Sequence, residues 1–305
     1  MPTEAIYCLA ADVHGEIYAC DPGCGCIRRF DPAGRPLPPV GQKGREPGQL
    51  ALPYAVSIGT DGRIYVLDEE NGAVVIFDSS GKYQESVPFS QYGFAGLTLA
   101  VDPDRRALLV GGLMRPFTPG APMLHVFLSG GGGWQHEADF YDQDDQVATL
   151  NLKVVGGVAA AVGPKGEMFI AQPDSPRIAR YDWTGKHLGD LVVIPGFYVP
   201  PKAIPARMPF DPAGISKLLS SWTELSDLRW LGSDKLLVTF ETHTPMHYGY
   251  EMLTENGSVI FDDIEGEYQP AFGTPDGKAL YFWKPYLRGS STTALTEFAF
   301  SDALR

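Results

Sequence analysis

The chain has 305 residues, a formal charge of −13, 35 glycines, 26 prolines and four cysteines. A charge of that sign repels a nucleic-acid backbone, and no Lys/Arg cluster offsets it, so a nucleic-acid partner is not expected. No run of 18 apolar residues supplies a membrane span, and the Gly and Pro content suits short strands joined by tight turns better than helices.

All four cysteines lie within the first 26 residues, and the segment 8–34 reads CLAADVHGEIYACDPGCGCIRRFDPAG. It divides into a strand at 8–12, a turn at 13–15, a strand at 16–20, a turn at 21–25 and a strand at 26–30. In that register Cys8 faces Cys20 and Cys20 faces Cys26, with Cys24 in the adjoining turn. Directly opposed residues have Cβ atoms about 5 Å apart. Four clustered thiolates suit tetrahedral zinc, with Cys8, Cys20, Cys24 and Cys26 as the ligand set. An iron–sulfur cluster accepts the same donors. A Cys8–Cys20 disulfide fits an exported protein, and reduced cysteines acting as small buried hydrophobes are the plain alternative.

The clearest unit follows at 52–82, LPYAVSIGTDGRIYVLDEENGAVVIFDSSGK. A strand at 55–58, the turn Thr60-Asp61-Gly62, a strand at 64–67, a polar turn, a strand at 74–77 and a second turn succeed one another. Gly and Asp supply the positive φ and the local capping that such hairpins require. The same order returns at 97–131, 156–186, 225–257 and 269–300, making six copies with that at 8–34. Repeats of roughly forty to fifty residues, each too small to bury its own faces, indicate propeller blades. The expectation is an all-β, six-bladed β-propeller with four-stranded antiparallel blades. Its single domain spans 1–305, with blades at 8–40, 52–92, 94–152, 154–195, 222–264 and 268–300.

Residues 41–82 resemble the NHL repeat in the spacing of Gly41, Gly44 and Gly48, then Pro53, the Asp61-Gly62 turn, IYVLD and VVIFD. The resemblance implies an NHL-type six-bladed propeller. Little chain remains after Phe300 for a last outer strand, so residues 2–7 are expected to close the ring and cover the open sheet edge.

Turns between first and second strands are short throughout, whereas long segments gather on the opposite face. These are 111–122, 241–249, 284–292 and the crossover 190–221, where Asp211 and Pro212 read as the start of a short helix. Loops on a rigid scaffold carry function, so that face is the candidate site. The segment ETHTPMHYGY brings Glu241, His243, His247 and Tyr248 to it, and WTELSD adds Glu224 and Asp227. Carboxylates and imidazoles in one place can hold a metal, act as acid and base, or contact a ligand.

The acidic run ADFYDQDDQ at 138–146 reads as a solvated outer-strand connection, with calcium through Asp142, Asp144 and Asp145 as the alternative. The four glycines at 130–133 read as a turn, since no helix follows to cradle a phosphate. Six-bladed relatives of the lactonase type imply a channel calcium, but Ala55, Ser57, Leu97, Leu99, Ala159 and Ala161 on the inner strands offer no ligands. The expected function is a binding or scaffold propeller that presents its loop-rich face to a protein or small-molecule ligand, within a larger assembly or alone. The alternative is a metal-dependent hydrolase or lyase at the channel mouth. The start of the chain shows no basic segment followed by a long apolar run, so a cytoplasmic location is the expectation.

Overall fold

The computed structural model describes residue 6 and residues 8–102, 104–114, 122–142, 158–173, 175–200, 221–231, 234–244, 247–273, 279–283 and 295–299. Their strands form six antiparallel sheets. The first holds β1 (Leu9–Ala11), β2 (Ile17–Asp21), β3 (Cys26–Phe30) and β4 (Pro36–Val40). In the second lie β5 (Pro53–Ile58), β6 (Ile64–Asp68), β7 (Ala73–Phe77) and β8 (Tyr83–Pro88). The third has β9 (Phe94–Asp102), β10 (Ala107–Met114), β11 (Pro122–Gly130) and β12 (Gly133–Asp142). The fourth contains β13 (Ala159–Val162), β14 (Met168–Ala171), β15 (Arg177–Tyr181) and β16 (His187–Val192). β17 (Glu224–Leu231), β18 (Lys235–Glu241), β19 (Tyr248–Thr254) and β20 (Val259–Gly266) make the fifth. The last sheet is β21 (Gln269–Gly273), β22 (Ala279–Trp283) and β23 (Leu295–Ala299).

The first strands of neighbouring sheets adjoin around a ring: β1 beside β5, then β9, β13, β17 and β21, which returns to β1. This is a β-propeller. Five of its blades are the expected four-stranded sheets, not six; the last sheet has three strands among the described residues.

Turn chemistry explains why the sequence makes these hairpins. In four of the turns one aspartate oxygen accepts the backbone N–H groups two and four residues ahead. Asp78 binds Ser80 and Lys82 at 2.9 and 3.0 Å, and Asp182 binds Thr184 and Lys186 at 2.9 and 3.1 Å. Asp12 and Asp31 do the same. The third residue after each is Gly15, Gly34, Gly81 or Gly185, at φ between 77° and 86°, where a Cβ would be strained.

Burial then stacks the blades. The middle strands β6 and β7 are buried along their whole length, because both faces meet a neighbouring blade. The outer β8 alternates between partly buried and exposed along most of its length. Apolar clusters fill the gaps between blades. Tyr18, Ile27, Ile64 and Phe77 join the first two, while Tyr65, Phe89, Leu108 and Phe127 join the second and third. Each fully buried large side chain contributes about 1.5–3 kcal/mol. The ring's seam is apolar too, since Ile6, Leu9, Ala11, Ile17 and Tyr281 of β22 pack against one apolar cluster. Residues 1–5 and 7, expected to close the ring, lie outside the described residues, as does the proposed helix at 212–221.

The cysteine arrangement differs from the zinc expectation. β1 and β2 pair in the expected register, and Cys20 donates its N–H to the Cys8 carbonyl at 3.1 Å. β2 and β3, however, pair Cys20 with Ile27 and Asp21 with Cys26. Asp21 stays in the strand because its buried carboxylate accepts from the Gly23 and Cys24 N–H groups and from Arg28 Nε. The turn is therefore one residue shorter than expected, and a one-residue slip sends a side chain to the opposite face of the sheet. Cys26 cannot share a rung with Cys20. Cys8 is instead disulfide-bonded to Cys20, and Cys24 to Cys26, with Cα separations of 5.2 and 5.3 Å. No free thiol remains, so there is no four-cysteine zinc site.

Candidate functional site

Of the long segments on the loop-rich face, 115–121, 201–220 and 284–292 lie outside the described residues, whereas 241–249 is described except at 245 and 246. Blade five therefore defines the site. Glu224 opens β17 and pairs in register with Glu241 at the end of β18, which pairs with Tyr248 at the start of β19. The three residues form one rung across the end of the blade, with neighbouring Cβ atoms about 5 Å apart. Leu237, Tyr248 and Tyr250 pack against Leu280 of β22 in the last sheet, and strand alternation puts Glu241 on that same side. Glu224 and Tyr248 are buried.

Electrostatics follow from the burial. Loss of water pushes the Glu241 carboxyl above its ordinary value. The Tyr248 hydroxyl is pushed up to about 12, first by burial and then by the nearby Glu241 charge. Among the described residues no cation pairs with Glu241. One step along the same face, Thr239 Oγ1 is buried without a hydrogen-bond partner among them.

The loop holding this rung is fixed by its own backbone. Thr242 donates its N–H and its hydroxyl to the His247 carbonyl at 2.9 and 3.1 Å. His247 points back to Glu265 of β20, Nδ1 to Oε2 at 3.4 Å, while His243 is exposed. The two histidines are therefore not joined with Glu224 in one cluster. The crossover from blade four is pinned over the site by Thr223, which bonds Val199 twice. Phe197 then lies edge-on to Phe240, in a space that exists because residue 249 is glycine; a Cβ there would meet the ring at 2.1 Å.

A channel calcium of the lactonase type does not fit the described inner strands. Their carboxylates are Asp102, Glu224 and Asp227, and Asp102 is committed to Arg105, Asp227 to Arg229. The glycines at 130–133 form the β11–β12 turn, as expected. Residues 138–142 continue β12, and 143–146 lie outside the described residues.

Sequence reasoning missed one cluster, in the outer hairpin of blade three. His125 of β11 pairs in register with Asp139 of β12, and a bulge beyond them brings in His136. Asp139 Oδ1 lies 2.6 Å from both His125 Nδ1 and His136 Nε2. Burial lowers the His125 pKa, and Asp139 opposes this. The signal was legible: a hairpin folding at the glycine run sets His125 opposite residues 138 and 139.

No family model and no curated protein matches the chain. Solved structures do. A member of the DUF4221 family from Bacteroides vulgatus superposes with a TM-score of 0.66 at 10% identity, covering 97% of this chain and 95% of that one. Virginiamycin B lyase from Staphylococcus aureus gives 0.55 at 10% identity, over 98% and 85%. A luciferin-regenerating enzyme gives 0.54 at 12% identity, over 94% and 87%. At such identities the likeness is one of fold, and that fold is the β-propeller.

Proposed function

We propose that this chain is a binding propeller of the six-bladed NHL type, whose loop-rich face takes a positively charged segment of a partner protein. The observation that carries this reading is the Glu224–Glu241–Tyr248 rung, where Glu241 is partly buried with no cationic partner among the described residues. An ammonium or guanidinium group entering there would form a charge-assisted bond with Glu241. The net charge of −13 would speed the approach of such a partner. The two disulfides fit an oxidising compartment better than the cytoplasm expected from the sequence.

Fluorescence anisotropy with a Lys/Arg-rich peptide and an acidic peptide of equal length tests the reading. The basic peptide should bind, more weakly at high salt, and Glu241→Gln should weaken it about tenfold. Equal binding of the two peptides, or an unchanged affinity in the variant, overturns it.

A second reading is favoured by the raised carboxyl of Glu241, which keeps a proton available nearer neutrality. It makes the site that of a metal-dependent hydrolase or lyase at the channel mouth, and virginiamycin B lyase is one enzyme with this fold. Glu224, Glu241, His243 and His247 would then supply acid and base. Turnover abolished by His243→Ala supports it; a fully active variant rejects it.

Closure of the ring by residues 2–7 as the outer strand of the last blade belongs to the same proposal. Ile6 and Tyr281 of the last sheet, packed against one apolar cluster, support it. Deleting residues 1–7 should lower the unfolding midpoint, and an unchanged midpoint would reject the closure.

A further inference from the structure

We propose that His125, His136 and Asp139 form a binding site for one first-row divalent transition metal at the outer hairpin of blade three. The site shares no ligand with the cysteines or with the Glu224–Glu241–Tyr248 rung, so its failure and theirs are separable.

Convergence of donor atoms is the first argument. One ligand atom from each of the three residues lies within 4.8 Å of the others. A single carboxylate oxygen, Asp139 Oδ1, stands 2.6 Å from a nitrogen of each imidazole. Without a cation, two N–H groups must crowd onto that one oxygen. With one, both nitrogens offer lone pairs, and the cation takes the place of the two protons. Tetrahedral ligands at about 2.0–2.1 Å from a metal sit roughly 3.3 Å apart, so side-chain rotations of about an ångström suffice.

Preorganisation is the second. His125 is buried and stacks flat on Phe94, with ring centroids 3.6 Å apart and planes 2° apart. The His136 ring lies 4.3 Å from that of Tyr92 and 5.2 Å from that of Phe127. These aromatic walls hold both imidazoles in place before any metal arrives. Asp139 is 39% exposed, which leaves an entry path and a coordination position for water.

Donor chemistry selects the metal. Two imidazoles and one carboxylate suit zinc and its neighbours better than calcium or magnesium, which prefer all-oxygen shells. A metal there would hold the outer hairpin against Phe94 of its own blade and against Tyr92 of the connection from blade two.

Zinc itself is the probe, with the full chain stripped by chelator and its disulfides intact. Competition against a chromophoric chelator should show one equivalent bound, and Asp139→Asn and His136→Gln should each weaken it at least tenfold. Cobalt(II) should give visible absorption bands of a low-symmetry N/O site in the wild type and in neither Asp139→Asn nor His136→Gln. Saturating zinc should raise the unfolding midpoint of the wild type and not of His136→Gln. His187→Ala, which removes an exposed histidine paired with Asp190, should bind like the wild type. Folding of each variant is checked by its circular dichroism. Sub-stoichiometric zinc in the wild type, or equal affinity in folded Asp139→Asn, overturns the proposal.

Discussion

Replacing Cys8 and Cys20 together by alanine is expected to lower the unfolding free energy by about 3 kcal/mol, whereas replacing Cys24 and Cys26 should cost about half as much. The difference follows from the chain that each bridge closes. Cys8 and Cys20 are 12 positions apart, and Cys24 and Cys26 only two. A longer loop removes more freedom from the unfolded chain. The first bridge also fastens the innermost strand β1, only three residues long, to its neighbour at the ring's seam. Cys20 is fully buried in the cluster between blades one and two, so its truncation adds a small cavity on top of the lost constraint. Denaturant unfolding of the two double variants checks the order. Before reduction, thiol titration should find no free cysteine. Equal stabilities for both variants, or an effect larger for the second pair, would show that the loops do not set the cost.

The cysteines also show what a sequence can carry. Alternation and turn residues were enough to place β1 and β2 in register and so to set Cys8 against Cys20. The next hairpin failed by a single residue. Asp21 looked like the first residue of a turn, but its carboxylate caps the turn from within the strand. That is a tertiary decision, since Arg28 and burial share in it. The blades were legible because Asp-x-x-Gly turns and apolar strands recur with a period. The short supply of chain after Phe300 was legible too, and residues 1–5 and 7, read as the closing strand, lie outside the described residues. At the site, Glu224, Glu241 and Tyr248 were each picked out as polar groups near a loop. Their union in one rung needed the pairing of three strands. His243 and His247 were grouped because they share one loop of the candidate face, and in an irregular loop a shared segment does not aim side chains at one point. His125 and His136 were overlooked for the opposite reason. They sit in strands that read as ordinary outer hairpin, and a bulge at Val126/Phe127 brings the second one into place.

Glu251→Gln is expected to stabilise the protein above pH 7 by up to about 3 kcal/mol and to leave it nearly unchanged near pH 4. Glu251 lies in the middle of β19, 2% exposed, beside a cavity of about 340 Å³ bordered by Val193, Pro195, Asp262 and Asp263. Its carboxylate accepts the Asp263 N–H at 2.9 Å and so steadies a bulge in which Asp263 takes a φ of 53°. Burial, reinforced by the charges of Asp263 and Asp262, pushes its pKa up from 4.5 to about 7. The folded protein therefore binds this proton more tightly than the unfolded chain. Its stability contribution is complete below pH 4.5 and is lost as pH rises through about 7. Glutamine keeps an oxygen to accept the Asp263 N–H but cannot ionise, so the loss disappears. Asp31, Asp78 and Asp182 work in the opposite sense at the acid end. Hydrogen bonds within their turns hold them below 3.8, so what they contribute is present above that value and is lost on acidification. Melting curves from pH 3 to pH 9 should show the wild type declining on both sides and the variant with a shallower alkaline limb, in which the raised carboxyl of Glu241 keeps its own share of the fall. A variant whose alkaline limb still falls like that of the wild type would place the responsible proton on another group.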